Sequence, residues 1–136
     1  MRFTKGVVVL VIVLLLTVLI ISGCMKDQDL PVIGVSVRVA EKGTDYCRLE
    51  WKVTNKSDIT ATFLYGNIEQ YEVRNTNTNR KYISEEGGKD IVLDNGDEYS
   101  NSILLTKLDK GRYQCVFTAE TEEGTKGTMK TSFEIE

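Results

Sequence analysis

Any chemistry in this chain would have to come from three cysteines, 20 carboxylates, and its lysines and hydroxyls, because the 136 residues include no histidine. Without an imidazole there is no common base for a serine or cysteine nucleophile, and the familiar zinc-ligand patterns are ruled out. What is left is a carboxylate pair of the glycosidase kind or a serine–lysine dyad. The carboxylates are many, yet no spacing singles out two of them. The residues therefore favour a non-catalytic protein with no cofactor and no metal. Asp94-Asn95-Gly96-Asp97-Glu98 places hard oxygen ligands around a glycine, which suits calcium, but the full twelve-residue loop pattern is missing. An ordinary type I′ hairpin turn is the favoured reading of that stretch.

The first cysteine, Cys24, closes an apolar run that follows two basic residues, Arg2 and Lys5. The run covers residues 7–21 and is interrupted only by Thr17. A helix needs about 20 apolar residues to cross a bilayer, so this length fits a secretory signal better than a span. Ile21-Ser22-Gly23-Cys24 resembles the lipobox of bacterial lipoproteins. That resemblance implies removal of residues 1–23 and a diacylglyceryl thioether on Cys24, with two acyl chains giving a stable anchor where one would bind reversibly. The alternative is an uncleaved N-terminal anchor with an incidental cysteine. Both place the rest of the chain outside the membrane, on its extracytoplasmic face. Residues 24–31 then form a lipidated tether, and at about 3.4 Å per residue its polar part reaches some 24 Å.

Without Arg2 and Lys5, 15 basic residues stand against 20 acidic ones, a formal charge of −5. An acidic surface argues against nucleic acid, whose phosphates reward a basic face, and against attraction to anionic lipid. The remaining residues, 32–136, are enough for one domain and too few for two.

Their pattern is that of strands. Ile33, Val35, Val37 and Val39 alternate with small or polar residues, as do Cys47, Leu49, Trp51 and Val53. A period of two in such residues marks half-buried strands. Strands are expected over 32–41, 47–54, 59–65, 68–74, 81–84, 91–93, 98–106, 112–121 and 129–136. Turn chemistry lies between them, as at Asn55-Lys56-Ser57-Asp58. Seven to nine short strands with turns every eight to twelve residues, and no helical period, predict an all-β antiparallel sandwich.

Asp109-x-Gly111-x-Tyr113-x-Cys115 resembles the immunoglobulin-fold motif at the start of strand F, where the tyrosine two residues before the cysteine makes the corner hydrogen bond. The resemblance puts Cys47 at the place of a strand B cysteine. Once Cys24 is assigned to lipid, Cys47 and Cys115 remain as a pair on inward phases, and a disulfide between the sheets is the expectation. Two buried free thiols are the alternative. Trp51 departs from the antibody pattern, since it follows Cys47 on the same strand. A second resemblance runs from about residue 49 to 118. Trp51-x-Val53-Thr54-Asn55-Lys56-Ser57-Asp58, Gln70-Tyr71-x-Val73, Leu93 with Gly96-Asp97-Glu98, and Gly111-x-Tyr113 are similar to the BsuPI-type domain of proteinase inhibitors. It implies a small immunoglobulin-like sandwich and, as one function, protease inhibition through an exposed loop.

Together these readings describe a membrane-anchored surface lipoprotein whose sandwich binds a protein or envelope polymer. The contact loops expected are 75–80 and 84–90, with Asn75, Arg80, Glu85 and Glu86 as candidate binding residues. Tyr65, Tyr71, Tyr82 and Tyr99 are further interface candidates, half or more of them expected in the core.

Overall fold

The computed structural model describes residues 29–136. Nine strands follow in order: β1 (Ile33–Lys42), β2 (Cys47–Asn55), β3 (Ala61–Phe63), β4 (Gln70–Asn75), β5 (Lys81–Ile83), β6 (Ile91–Leu93), β7 (Glu98–Leu105), β8 (Gly111–Glu120) and β9 (Lys126–Ile135). All the pairings are antiparallel. One sheet has the order β1-β2-β7, a second β5-β4-β8-β9, and a two-stranded ribbon joins β3 to β6. This is a single immunoglobulin-like sandwich, with β1-β2-β7 facing β5-β4-β8-β9 as A-B-E faces C′-C-F-G. No helix among the described residues is long and apolar enough to cross a membrane.

Alternation decides which side chains meet in the middle. Leu49, Trp51 and Val53 from β2 face Val73 from β4 and Tyr113, Cys115, Phe117 and Ala119 from β8. All of these are buried, and such interdigitated inner faces form the core of aligned sandwiches. The Trp51 ring lies 5.2 Å from that of Phe117 and 5.8 Å from that of Tyr71, which ties the two sheets together at their centre. Tilted aromatic pairs at such separations add to the burial itself. Ala61, Phe63 and Leu93 from the ribbon extend the same core.

The ends of the sandwich differ. Residues 31 and 32 are pinned where β2 ends and where β8 turns into β9. Thr125 Oγ1 donates to Pro31 O at 2.6 Å, Val32 N to Ser57 Oγ at 3.0 Å, and Lys56 N to Val32 O at 2.7 Å. At the opposite end the Tyr113 hydroxyl donates to Asp109 O at 2.7 Å. Gly111 there has φ +136°, and a Cβ on it would stand 3.2 Å from Asn75 Nδ2. The three positions of the Asp109-Gly111-Tyr113 motif thus supply an acceptor carbonyl, room for a neighbouring carboxamide, and the hydroxyl.

Two expectations change here. The segment expected as a strand over 59–65 pairs only over Ala61–Phe63, because Tyr65 and Gly66 turn the chain with φ of +52° and +75°. Asp94-Asn95-Gly96-Asp97 is not a hairpin turn either: β6 and β7 belong to different sheets. Only Gly96 of its two central residues has positive φ, which is type II geometry, not type I′.

Candidate functional site

A groove of about 790 Å³ crosses the outer face of the β5-β4-β8-β9 sheet. Its floor is built by the outward phases of three strands: Gln70 and Glu72 from β4, Val116 and Thr118 from β8, and Ile83 from β5. Two connections form the walls. One is the turn from Leu64 to Asn67, where Asn67 N donates to Leu64 O at 2.9 Å. Positive φ at both central residues makes it a type I′ turn, a geometry that favours asparagine and glycine. Tyr65 in the first central position is therefore strained, and the residue is 69 % exposed, an unusual cost for a side chain that buries so little.

The other wall is loop 84–90. It is stitched to the first by one backbone and one side-chain acceptor, with Gly66 N donating to Lys89 O at 3.3 Å and Tyr65 N to Asp90 Oδ1 at 2.9 Å. The two chains touch at glycines: a Cβ built on Gly88 would lie 3.0 Å from the Cα of Gly66. Ser84 fixes the base of the loop to β4, donating from N to Tyr71 O at 3.0 Å and accepting from Tyr71 N on Oγ at 3.1 Å.

A narrower arm of about 340 Å³ continues between the sheets towards β7, bordered by Trp51, Tyr71, Glu69, Glu85 and Asn101. Glu69 accepts from the Tyr99 hydroxyl and from Asn101 Nδ2, both at 2.9 Å. Burial raises the Tyr71 hydroxyl above its ordinary pKa, and the charges of Glu85 and Glu69 raise it further. Tyr99 is raised by burial and by its bond to Glu69. The neighbourhood is electrically negative.

Glu85 and Glu86 line this groove. Arg80 does not. It sits at the far end, 3.6 Å from Asp109 and over the Tyr82 ring at 5.3 Å. Asn75 is a correction: it is 1 % exposed. Its Oδ1 accepts from Asn77 N and Thr78 N at 2.9 and 3.2 Å, so it shapes loop 75–80 from inside and offers nothing to a partner. Of the four tyrosines, Tyr71, Tyr82 and Tyr99 pack on the core, leaving Tyr65 as the exposed one. Sequence reasoning missed the turn at Tyr65 as a wall; Gly66-Asn67 was its signal.

At Asp94 and Asp97 the carboxylates are internal acceptors, bonded by Thr60 Oγ1 and by Asp94 N at 3.1 and 3.0 Å. No metal-holding group of three or more side chains occurs among the described residues. Cys47 and Cys115 are free thiols in the structure, buried on facing sheets. The expected bridge is therefore not formed there. Burial pushes both thiols up to about 11, with Cys47 contributing to the rise at Cys115. Cys24 lies outside the described residues, as do residues 1–23.

No family model matches this chain. No curated protein matches it either. Similar solved structures are a β-glucosidase from Kluyveromyces marxianus in complex with glucose (12% identity, TM-score 0.54, 78% of this chain and 14% of that one), a β-glucosidase from Erythrobacter marinus (12%, 0.53, 76% and 15%), and the GH3 β-glucosidase of Bifidobacterium adolescentis (14%, 0.51, 74% and 17%). The chain thus spans about one-sixth of the length of these enzymes or less, and at such identities the likeness is one of fold alone: an antiparallel β-sandwich.

Proposed function

We propose that this chain is a lipid-anchored surface protein whose sandwich works by binding a partner in the groove between Tyr65 and loop 84–90. The observation that carries the reading is Tyr65, an exposed aromatic held on a strained type I′ turn beside a second loop stitched to it. Aromatic side chains in defined positions are the usual anchors of binding surfaces, and strain that folding does not need points to function. The anchor itself rests on residues 7–24, with Cys24 as the lipid-bearing residue.

The test is photo-crosslinking in intact cells. A benzophenone amino acid at position 65 or 83 is expected to give a discrete adduct, and the same residue at position 104 none, since Leu104 is 44 % exposed on the opposite sheet. Gly88→Val, which forces the walls apart, is expected to remove the adduct. Equal adducts from 65 and 104 would sink the groove as the site.

Export also bears on the thiols. We propose that Cys47 and Cys115 pair in the oxidised, exported protein, closing a loop of about 70 residues, worth roughly 4 kcal/mol in the chain-entropy model. A two-dalton mass shift on reduction is the expected result. The reduced protein has its own signature. Thiols raised to about 11 keep their protons in the folded state, while unfolded cysteines lose them near pH 8.5. Their contribution to stability is thus whole below about pH 8.5 and is lost as pH climbs towards 11. Urea melts with and without reductant across that window check it: an oxidised sample showing the same loss as a reduced one would count against the bridge.

A further inference from the structure

We infer that the groove takes a basic, extended peptide segment, an inference that rests on the binding role proposed above and names its ligand. Charge comes first. The groove and its inner arm are lined by Glu69, Glu72, Glu85 and Glu86, and neither a lysine nor an arginine lines either. Glu72 is partly matched by Lys81 at 3.5 Å, whereas Glu85 and Glu86 have no ion-pair partner among the described residues. Like charges gathered around a concave surface focus a field outward and favour a cationic occupant.

The aromatic ring adds to this. Tyr65 stands at the rim with its face open to solvent, where an ammonium or guanidinium over the ring gains a cation–π contact on top of a carboxylate pair. The last observation separates a peptide from a simple polycation. Trp51 borders the inner arm, is only 5 % exposed, and has its indole Nε1 buried without an acceptor among the described residues. Buried donors are rarely left so. A peptide brings backbone carbonyls that could serve as the missing acceptor, which a polyamine has no oxygen to do. Asn101 and Ser102 of β7 also line the arm. β7 is an edge strand of its sheet, and Ser102 N there donates to Asn101 Oδ1 at 2.8 Å, a bond that an added strand would replace.

The experiment uses the full chain in mild detergent and three probes: a lysine-rich decapeptide, a glutamate-rich decapeptide and spermine, followed by calorimetry. The lysine peptide is expected to bind, with affinity falling about tenfold between low and high salt. Glu85→Gln with Glu86→Gln should weaken it about tenfold, Tyr65→Ala several-fold, and the charge-matched pair Glu134→Gln with Glu136→Gln less than twofold. Equal loss in the charge-matched pair would reduce the binding to general attraction by an acidic protein and overturn the inference. So would equal affinity for the glutamate peptide, and spermine binding as tightly would remove the peptide. Adducts from position 65 in cells, with no lysine-peptide binding, would leave the groove a binding site with another ligand. Neither adducts nor binding would end both readings.

Discussion

Phe117→Ala is expected to cost about 3–5 kcal/mol, the usual range for emptying an aromatic from a core. Phe117 is completely buried on β8 and its ring meets Trp51 across the sheets. The loss therefore combines transfer of the ring, a cavity at the sandwich centre, and one aromatic pair. Domains of this size are stable by only about 5–15 kcal/mol. With each kcal/mol worth about 4–8 °C here, the melting temperature should fall by about 12–40 °C in circular dichroism, with Trp51 emission shifting as its packing loosens. Phe117→Leu, which keeps most of the volume, should lose far less. Similar melts for both variants would mean that the two sheets are not held together at this contact.

Asn55→Leu is the second large effect, about 2–4 kcal/mol, and its cause is polar. Asn55 is fully buried. Its Nδ2 donates to Ile59 O at 2.7 Å and Leu93 O at 2.8 Å, and its Oδ1 accepts from Ser57 N and Oγ at 3.0 and 2.8 Å. A leucine of similar size fills the space and takes these bonds from Leu93 O and Ser57 N, while Ile59 O keeps only the longer one from Ser57 Oγ at 3.3 Å, and each orphan of this kind costs on the order of 1–3 kcal/mol. Because Asn55 connects the end of β2 to β6, the damage should concentrate in the β3–β6 ribbon. Hydrogen exchange at residues 59–63 and 91–97 is the check. Uniform loosening of the whole sandwich would contradict a local role.

These two residues also mark what could be read in advance. Phe117 lies in a strand whose alternation is unbroken, and the same holds for β2, the end of β9, and β1 as far as Val39, after which its register shifts; period two suffices because each is buried on one face only. Asn55 and Asn75 look like turn residues by type, yet both point inward, since their carboxamides complete loops that no short window reveals. The groove was half legible. Glu85 and Glu86 sit in a loop rich in turn signals, but its other wall lies about twenty residues away and is joined to it through Gly66 and Gly88, a contact with no local signature. The turn at Asp94 misled because Asn-Gly is a strong hairpin cue, while the chain at that point leaves one sheet for another.

Pinning residues 31 and 32 beside the ends of β2 and β8 has a consequence for approach. β4 begins and β8 ends near that same pole, since Gln70 pairs with Thr118, so the groove opens in the half of the molecule nearest the tether. If Cys24 carries lipid as proposed, the groove lies in the half of the domain nearer the bilayer and loop 75–80 in the half farther from it. A freely diffusing globular protein would have to squeeze in beneath the domain. A slender strand lying along the membrane, or the stalk of a neighbouring membrane protein, would already be at the right height.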